Sequence, residues 1–125
     1  MGTRLDPRAT RELARLGGDT FQKCFNCGNC TAVCSLSRED TVFPRKTIRY
    51  MQLGLVDELE RSTEPWLCYY CGSCSETCPR EAEPGELMMA ARRWLTNRYD
   101  WTGLSRKLYT SVFWEMGLLI FTALV

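Results

Sequence analysis

Histidine is missing from this 125-residue chain. Its absence excludes a bis-histidine haem, a Cys₂His₂ zinc finger, a Rieske centre and histidine acid–base catalysis within the sequence. A strong net charge is missing too: 16 Lys and Arg stand against 15 Asp and Glu, a net charge of +1. That balance gives no case for nucleic-acid binding. Nor is there a long apolar run, because Met116 to Val125 gives only ten residues without a charge, whereas a membrane helix needs about 20. The N-terminal MGTRLDPRATREL is charged where a secretory signal is apolar, and Asp6 stands where a myristoylation signal requires Ser or Thr. The expected location is cytoplasmic, or at the cytoplasmic face of a membrane, where thiols stay reduced.

Cysteine, by contrast, is abundant. All eight cysteines fall into two runs, CFNCGNCTAVC from Cys24 to Cys34 and CYYCGSCSETC from Cys68 to Cys78, offset by 44 positions. Both have the spacing C-x₂-C-x₂-C-x₃-C, which suits a [4Fe-4S] cube: three closely spaced thiolates wrap three corners, and the fourth comes from elsewhere. In two-run proteins the last cysteine of each run normally serves the other run's cluster. The expected sets are therefore Cys24, Cys27, Cys30 with Cys78, and Cys68, Cys71, Cys74 with Cys34. Two Cys₄ zinc sites are the alternative, but zinc needs only two C-x₂-C pairs and leaves the third step of each run without a purpose.

The residues around the thiols differ in what they specify. Gly28 and Gly72 follow the second cysteine of each run, either as turn formers or as places where backbone N–H groups reach the sulfides and raise the reduction potential. Pro79 follows Cys78 and restrains the chain's exit, whereas Ser35 follows Cys34. That change leaves the exit less constrained and affects rigidity or a hydrogen bond to the cluster, but it removes no ligand. Trp66, Tyr69 and Tyr70 are read as shielding the second site from water. No catalytic residue is expected: Asp57, Glu58 and Glu60 cluster, but adjacent acids on a helix are ordinarily solvated and nothing pairs them with a nucleophile.

The rest of the chain reads as helices. LDPRATRELARLGG has Asp6 as N-cap, Pro7 in the first turn and Gly17-Gly18 as a stop. FPRKTIRYMQLGLVDELE spaces Ile48, Met51, Leu55 and Leu59 on one helical face, with a break expected at Gly54. EPGELMMAARRWLTNRY starts at Pro84 and follows the 3.6-residue period through Leu87, Ala91, Trp94, Leu95 and Arg98. No strand pattern is present, and the spacer between the runs is too long and too helical for the βαββαβ plan of short bacterial ferredoxins. The expected fold is all-α, with a cluster-holding domain over residues 1–98 and an apolar tail over 99–125. Aromatic and basic residues that precede the apolar stretch from Ser111 to Val125, among them Trp101, Arg106 and Lys107, suit either the start of a transmembrane helix or a segment that docks on a partner. Acidic residues concentrate between Tyr50 and Ala91, with basic flanks on either side, as a solvated face or a docking surface.

These residues resemble the C subunit of heterodisulfide reductase, and more closely the N-terminal part of the C subunit of the quinone-interacting membrane-bound oxidoreductase. The resemblance runs from about Gly18 to Trp94, through KCFNCGNCTAVC, FPRKTIRYMQLGL, WLCYYCGSCSETCPR and PGELMMAARRWL. Phe43-Pro44-Arg45-Lys46 followed by Gln52-Leu53-Gly54-Leu55 makes it more specific than the cysteines alone. It implies an α-helical ferredoxin domain of anaerobic metabolism that relays electrons between a flavin- or cluster-bearing partner subunit and a further acceptor. In the membrane-bound relatives a cytochrome b-like domain follows, and the apolar sequence after Lys107 looks like its start. Without haem-ligating histidines, quinone chemistry is not attributed to this chain. The rival assignments are an iron-sulfur subunit of a flavoprotein dehydrogenase of the glycolate oxidase or glycerol-3-phosphate dehydrogenase type, and a zinc-stapled interaction module.

Overall fold

The computed structural model describes residues 5–38 and 40–124. Met1 to Arg4 and Val125, the outer ends of the two expected segments, lie outside them. Helix α1 spans Pro7–Leu13; Asp6 caps it, its carboxylate accepting the Arg8 N–H, and Pro7 fills the first turn. A π turn over Ala14–Gly18, broken at Gly17, and a 3₁₀ turn over Asp19–Lys23 carry the chain to the first cysteine run. Helix α2, Asn29–Val33, lies within that run.

The spacer forms two helices, α3 at Arg45–Leu53 and α4 at Val56–Arg61, separated at Gly54 as its position suggests. Ile48, Met51 and Leu59 are buried. Leu55 departs from the expected face: it sits between the helices, half-buried, and makes an isolated antiparallel bridge with Leu5. The break at Gly54 shifts the helical phase, so a period carried through it places Leu55 wrongly. Short helices α5 at Glu64–Leu67 and α6 at Ser73–Glu76 bracket the first half of the second run.

Helix α7, Pro84–Tyr99, organises the rest. It packs against α1, the π turn, α3, α4, α5 and α6, and buries Leu87, Met88, Ala90, Ala91, Trp94 and Leu95 in one core with Leu13, Ile48, Met51 and Leu59. A fully buried Leu, Ile or Met contributes roughly 1.5–3 kcal/mol of transfer free energy, so this helix and its neighbours supply most of the apolar stabilisation. Its rim is tied by polar contacts: Trp94 Nε1 donates to Glu12 at 3.0 Å, Arg98 pairs with Glu60 at 2.6 Å, and the Tyr99 hydroxyl donates to the Glu60 carbonyl at 2.7 Å. Thus Glu60 of the acidic cluster holds α7 in place. Among the described residues the structure has no strand, only isolated bridges.

Helices α8, Leu104–Thr110, and α9, Val112–Leu124, complete the chain. Asp100 organises the junction, accepting the N–H groups of Thr102 and Ser105 and the Thr102 hydroxyl. The Thr102 hydroxyl and then the Ser105 N–H hold the Asp100 carboxyl far below the usual carboxylate range. A depressed folded-state value means that the stability this tie contributes is fully present above the ordinary aspartate pKa and is lost only as pH falls from there through the depressed value. In an acid titration followed by NMR, the Thr102 and Ser105 amides are expected to keep their shifts through pH 4; movement there would remove Asp100 as the tie. No helix of the described residues is long and apolar enough to cross a membrane. Instead α9 is short and exposes Phe113, Leu119 and Phe121.

Candidate metal centre

The two cysteine runs adopt one backbone form twice. Asn26 and Tyr70, each two residues after the first cysteine, have φ of 61° and 57°, and Gly28 and Gly72 have φ of 91° and 86°. Asparagine and glycine enter this left-handed region readily, but tyrosine rarely does, so the loop geometry is imposed rather than locally preferred. Each glycine also starts a helix, α2 or α6. The turn-forming reading of the pair therefore rests on an observed positive φ.

Tertiary contacts then interleave the runs. Helices α2 and α6 pack together, and Asn29 Nδ2 donates to the carbonyl of Thr77, the residue before Cys78. The hydroxyls of Ser35, just after Cys34, and Tyr69, just after Cys68, lie 2.8 Å apart in a hydrogen bond. Serine in place of proline thus links the end of one run to the start of the other. A cavity beside this link is lined by Cys34, Cys68, Cys71 and Cys74 together, with Leu36, Phe43, Met88 and both tyrosines in its wall. Three of these cysteines come from one run and one from the other. Trp66 does not line it, so of the three expected shields only Tyr69 and Tyr70 stand there, both of them largely exposed.

At the first run, Cys30 is buried and Cys27 exposed. Cys24 lines an open groove with Phe25, Asn26, Arg45, Lys46 and Arg49, a cationic rim on this side of the molecule. Cys78 accepts the Ala82 N–H at its Sγ, at 3.4 Å. The hollow between α8 and α9, lined by Leu104, Phe113, Trp114 and Phe121, contains no thiol.

The 4Fe-4S dicluster domain family matches residues 20–82, which include every cysteine. The chain belongs to this family. Its dicluster domain is similar to the C subunits of heterodisulfide reductases: 37% identical over 98 residues to the C-subunit-like heterodisulfide reductase protein of Archaeoglobus profundus, covering 78% of this chain and 52% of that one. It is 38% identical over 96 residues to the iron-sulfur C subunit of the CoB–CoM heterodisulfide reductase of Methanopyrus kandleri, covering 70% and 50%. It is 34% identical over 88 residues to the C subunit of the H₂:CoB–CoM heterodisulfide, ferredoxin reductase of Methanothermobacter thermautotrophicus, covering 70% and 48%. The chain spans about half the length of these curated relatives.

The donor set of the dicluster domain fits iron-sulfur chemistry. Four cysteines line one cavity whose wall includes the apolar Leu36, Phe43 and Met88. Burial pushes the Cys30 thiol up to about 11 against a hydrogen bond from the Thr31 side chain, helped by the neighbouring Cys24 and Cys74 thiols. Cys74 is likewise raised, first by burial and then by Cys68 and Cys34. Several like thiols held close resist ionising together, and binding a cationic group releases that constraint along with protons. Sequence reasoning missed two polar side chains outside the runs, Gln52 and Arg92, which grip the backbone of the cysteine loops. No spacing rule announces them, because the first lies 28 residues beyond its cysteine and the second 24.

Proposed function

We propose that this chain is an electron-relay subunit holding two [4Fe-4S] clusters, one on Cys24, Cys27, Cys30 and Cys78 and the other on Cys68, Cys71, Cys74 and Cys34. The observation that carries this reading is a cavity lined by cysteines of both runs. The Asn29–Thr77 and Ser35–Tyr69 links support the same crossing, because each draws the last cysteine of one run towards the other. When bound, such clusters accept and return single electrons without making or breaking a substrate bond. The chain's own residues position the thiolates, exclude water with the buried Phe43 and Met88, and fix the distance between the two sites through α2 against α6.

Similarity to the C subunits of heterodisulfide reductases favours a place in a complex with other redox subunits, flavin- or iron-sulfur-bearing, that supply and remove the electrons. Retention of eight reduced thiols suits a cytoplasmic setting. Residues 1–98 are the proposed cluster-bearing domain and 99–125 an appended segment whose apolar side chains are available to a partner. The test is anaerobic purification followed by metal and sulfide assay and a redox titration. About eight irons and eight sulfides per chain, reduced in one-electron steps, are expected. About two zinc ions without sulfide would sink the proposal in favour of a zinc-stapled module.

A further inference from the structure

Each cysteine run opens with a ligand whose carbonyl is held from a distant helix. Gln52 on α3 donates from Nε2 to the carbonyls of Phe21, at 2.9 Å, and Cys24, at 2.6 Å. Its Oε1 accepts from Asn26 Nδ2 at 2.8 Å and from Arg49 at 3.4 Å. Arg92 on α7 donates from Nε to the carbonyl of Pro65 at 2.6 Å, and from Nη2 to those of Trp66, at 2.9 Å, and Cys68. Phe21 and Pro65 each stand three residues before the first cysteine of their run. Two unrelated side chains therefore take the same pair of carbonyls in the two runs.

We infer that Gln52 and Arg92 are positioning residues, one for each cysteine run, and that Arg92 in addition raises the reduction potential of the site opened by Cys68. The inference rests on the two-cluster reading. A planar side chain with several donors can hold two or three carbonyls at once, fixing the direction from which the first thiolate leaves the backbone. Gln52 does this as a neutral amide. Arg92 does it as a permanent cation, and among the described residues no carboxylate forms an ion pair with it. Reduction adds negative charge to a site, so a fixed positive charge beside it favours the reduced state, the more so in a half-buried setting where water screens less.

The experiment is an EPR-monitored redox titration of the full chain, reconstituted anaerobically, as wild type, Arg92→Met, Arg92→Lys, Arg92→Gln and Gln52→Leu. Arg92→Met is expected to lower the midpoint of one cluster about tenfold in its reduction equilibrium, ~59 mV for one electron, and to leave the other in place. Arg92→Lys keeps the charge and loses the fork, so its midpoint should stay near wild type while its line shape changes. Gln52→Leu should change the line shape of the other cluster with little shift in either midpoint. Two wild-type clusters with an Arg92→Met titration that coincides with wild type would overturn this inference alone. If Arg92→Met does not hold its clusters, the neutral but hydrogen-bonding Arg92→Gln decides against Arg92→Lys: a midpoint lower in Arg92→Gln supports the role of charge, and coincident midpoints overturn it. A wild-type chain that binds no iron overturns the cluster reading and this inference with it.

Discussion

Cys34→Ser is expected to destroy the site formed with Cys68, Cys71 and Cys74 and to spare the site of its own run. Cys34 lines the same cavity as those three thiols, and its neighbour Ser35 is hydrogen-bonded to Tyr69. An oxygen donor is a poorer partner than thiolate for a soft iron-sulfur core. Iron content should therefore fall from about eight to about four per chain, with one EPR signal lost. Cys78→Ser should remove the complementary signal, since Asn29 draws the Thr77–Cys78 segment onto the first run. Tyr69→Phe offers a milder variant: it removes the hydroxyl that reaches Ser35 and Cys71 and no thiol, and should leave both signals in place. If Cys34→Ser instead abolished only the signal that depends on Cys24, Cys27 and Cys30, each run would be self-contained and the crossing would be wrong.

Leu95→Ala should cost about 2–5 kcal/mol, the range for removing a buried leucine whose surroundings relax only in part. Leu95 is fully buried on α7, in one core with Leu13, Ile48, Met51 and Leu59. Leu119→Ala on α9, where the side chain is 57% exposed, should change stability by less than about 0.5 kcal/mol. Anaerobic urea denaturation of the cluster-loaded chain, followed by circular dichroism, separates the two through their midpoints. Comparable losses at both positions would mean that α9 belongs to the cooperative core, against the proposed division between residues 1–98 and 99–125. The loaded chain is the correct reference, because a group that binds only the folded state adds its binding free energy to stability.

The helices are legible in the sequence because their determinants are local. Asp6 and Pro7 mark a start, Gly54 a break, and Leu87, Ala91, Trp94 and Leu95 recur on one face of α7. Leu55 falls off the expected face because a local period cannot survive a change of helical phase. Trp66 fails as a shield for a related reason: adjacency in sequence does not tell which way a ring faces, and this one lies outside the cavity that Tyr69 and Tyr70 line.

By itself the sequence determined the ligand type, the two runs, their 44-residue offset, the absence of any histidine site and the helical class. All of these follow from residue chemistry and short-range spacing. Only the tertiary structure decided that Cys34 would share a cavity with Cys68, Cys71 and Cys74, that Ser35 would reach Tyr69, and that Gln52 and Arg92 would hold the first carbonyl of each run. These contacts join residues tens of positions apart. Their geometry depends on how α3 and α7 pack against the cysteine loops, and no local pattern encodes that packing.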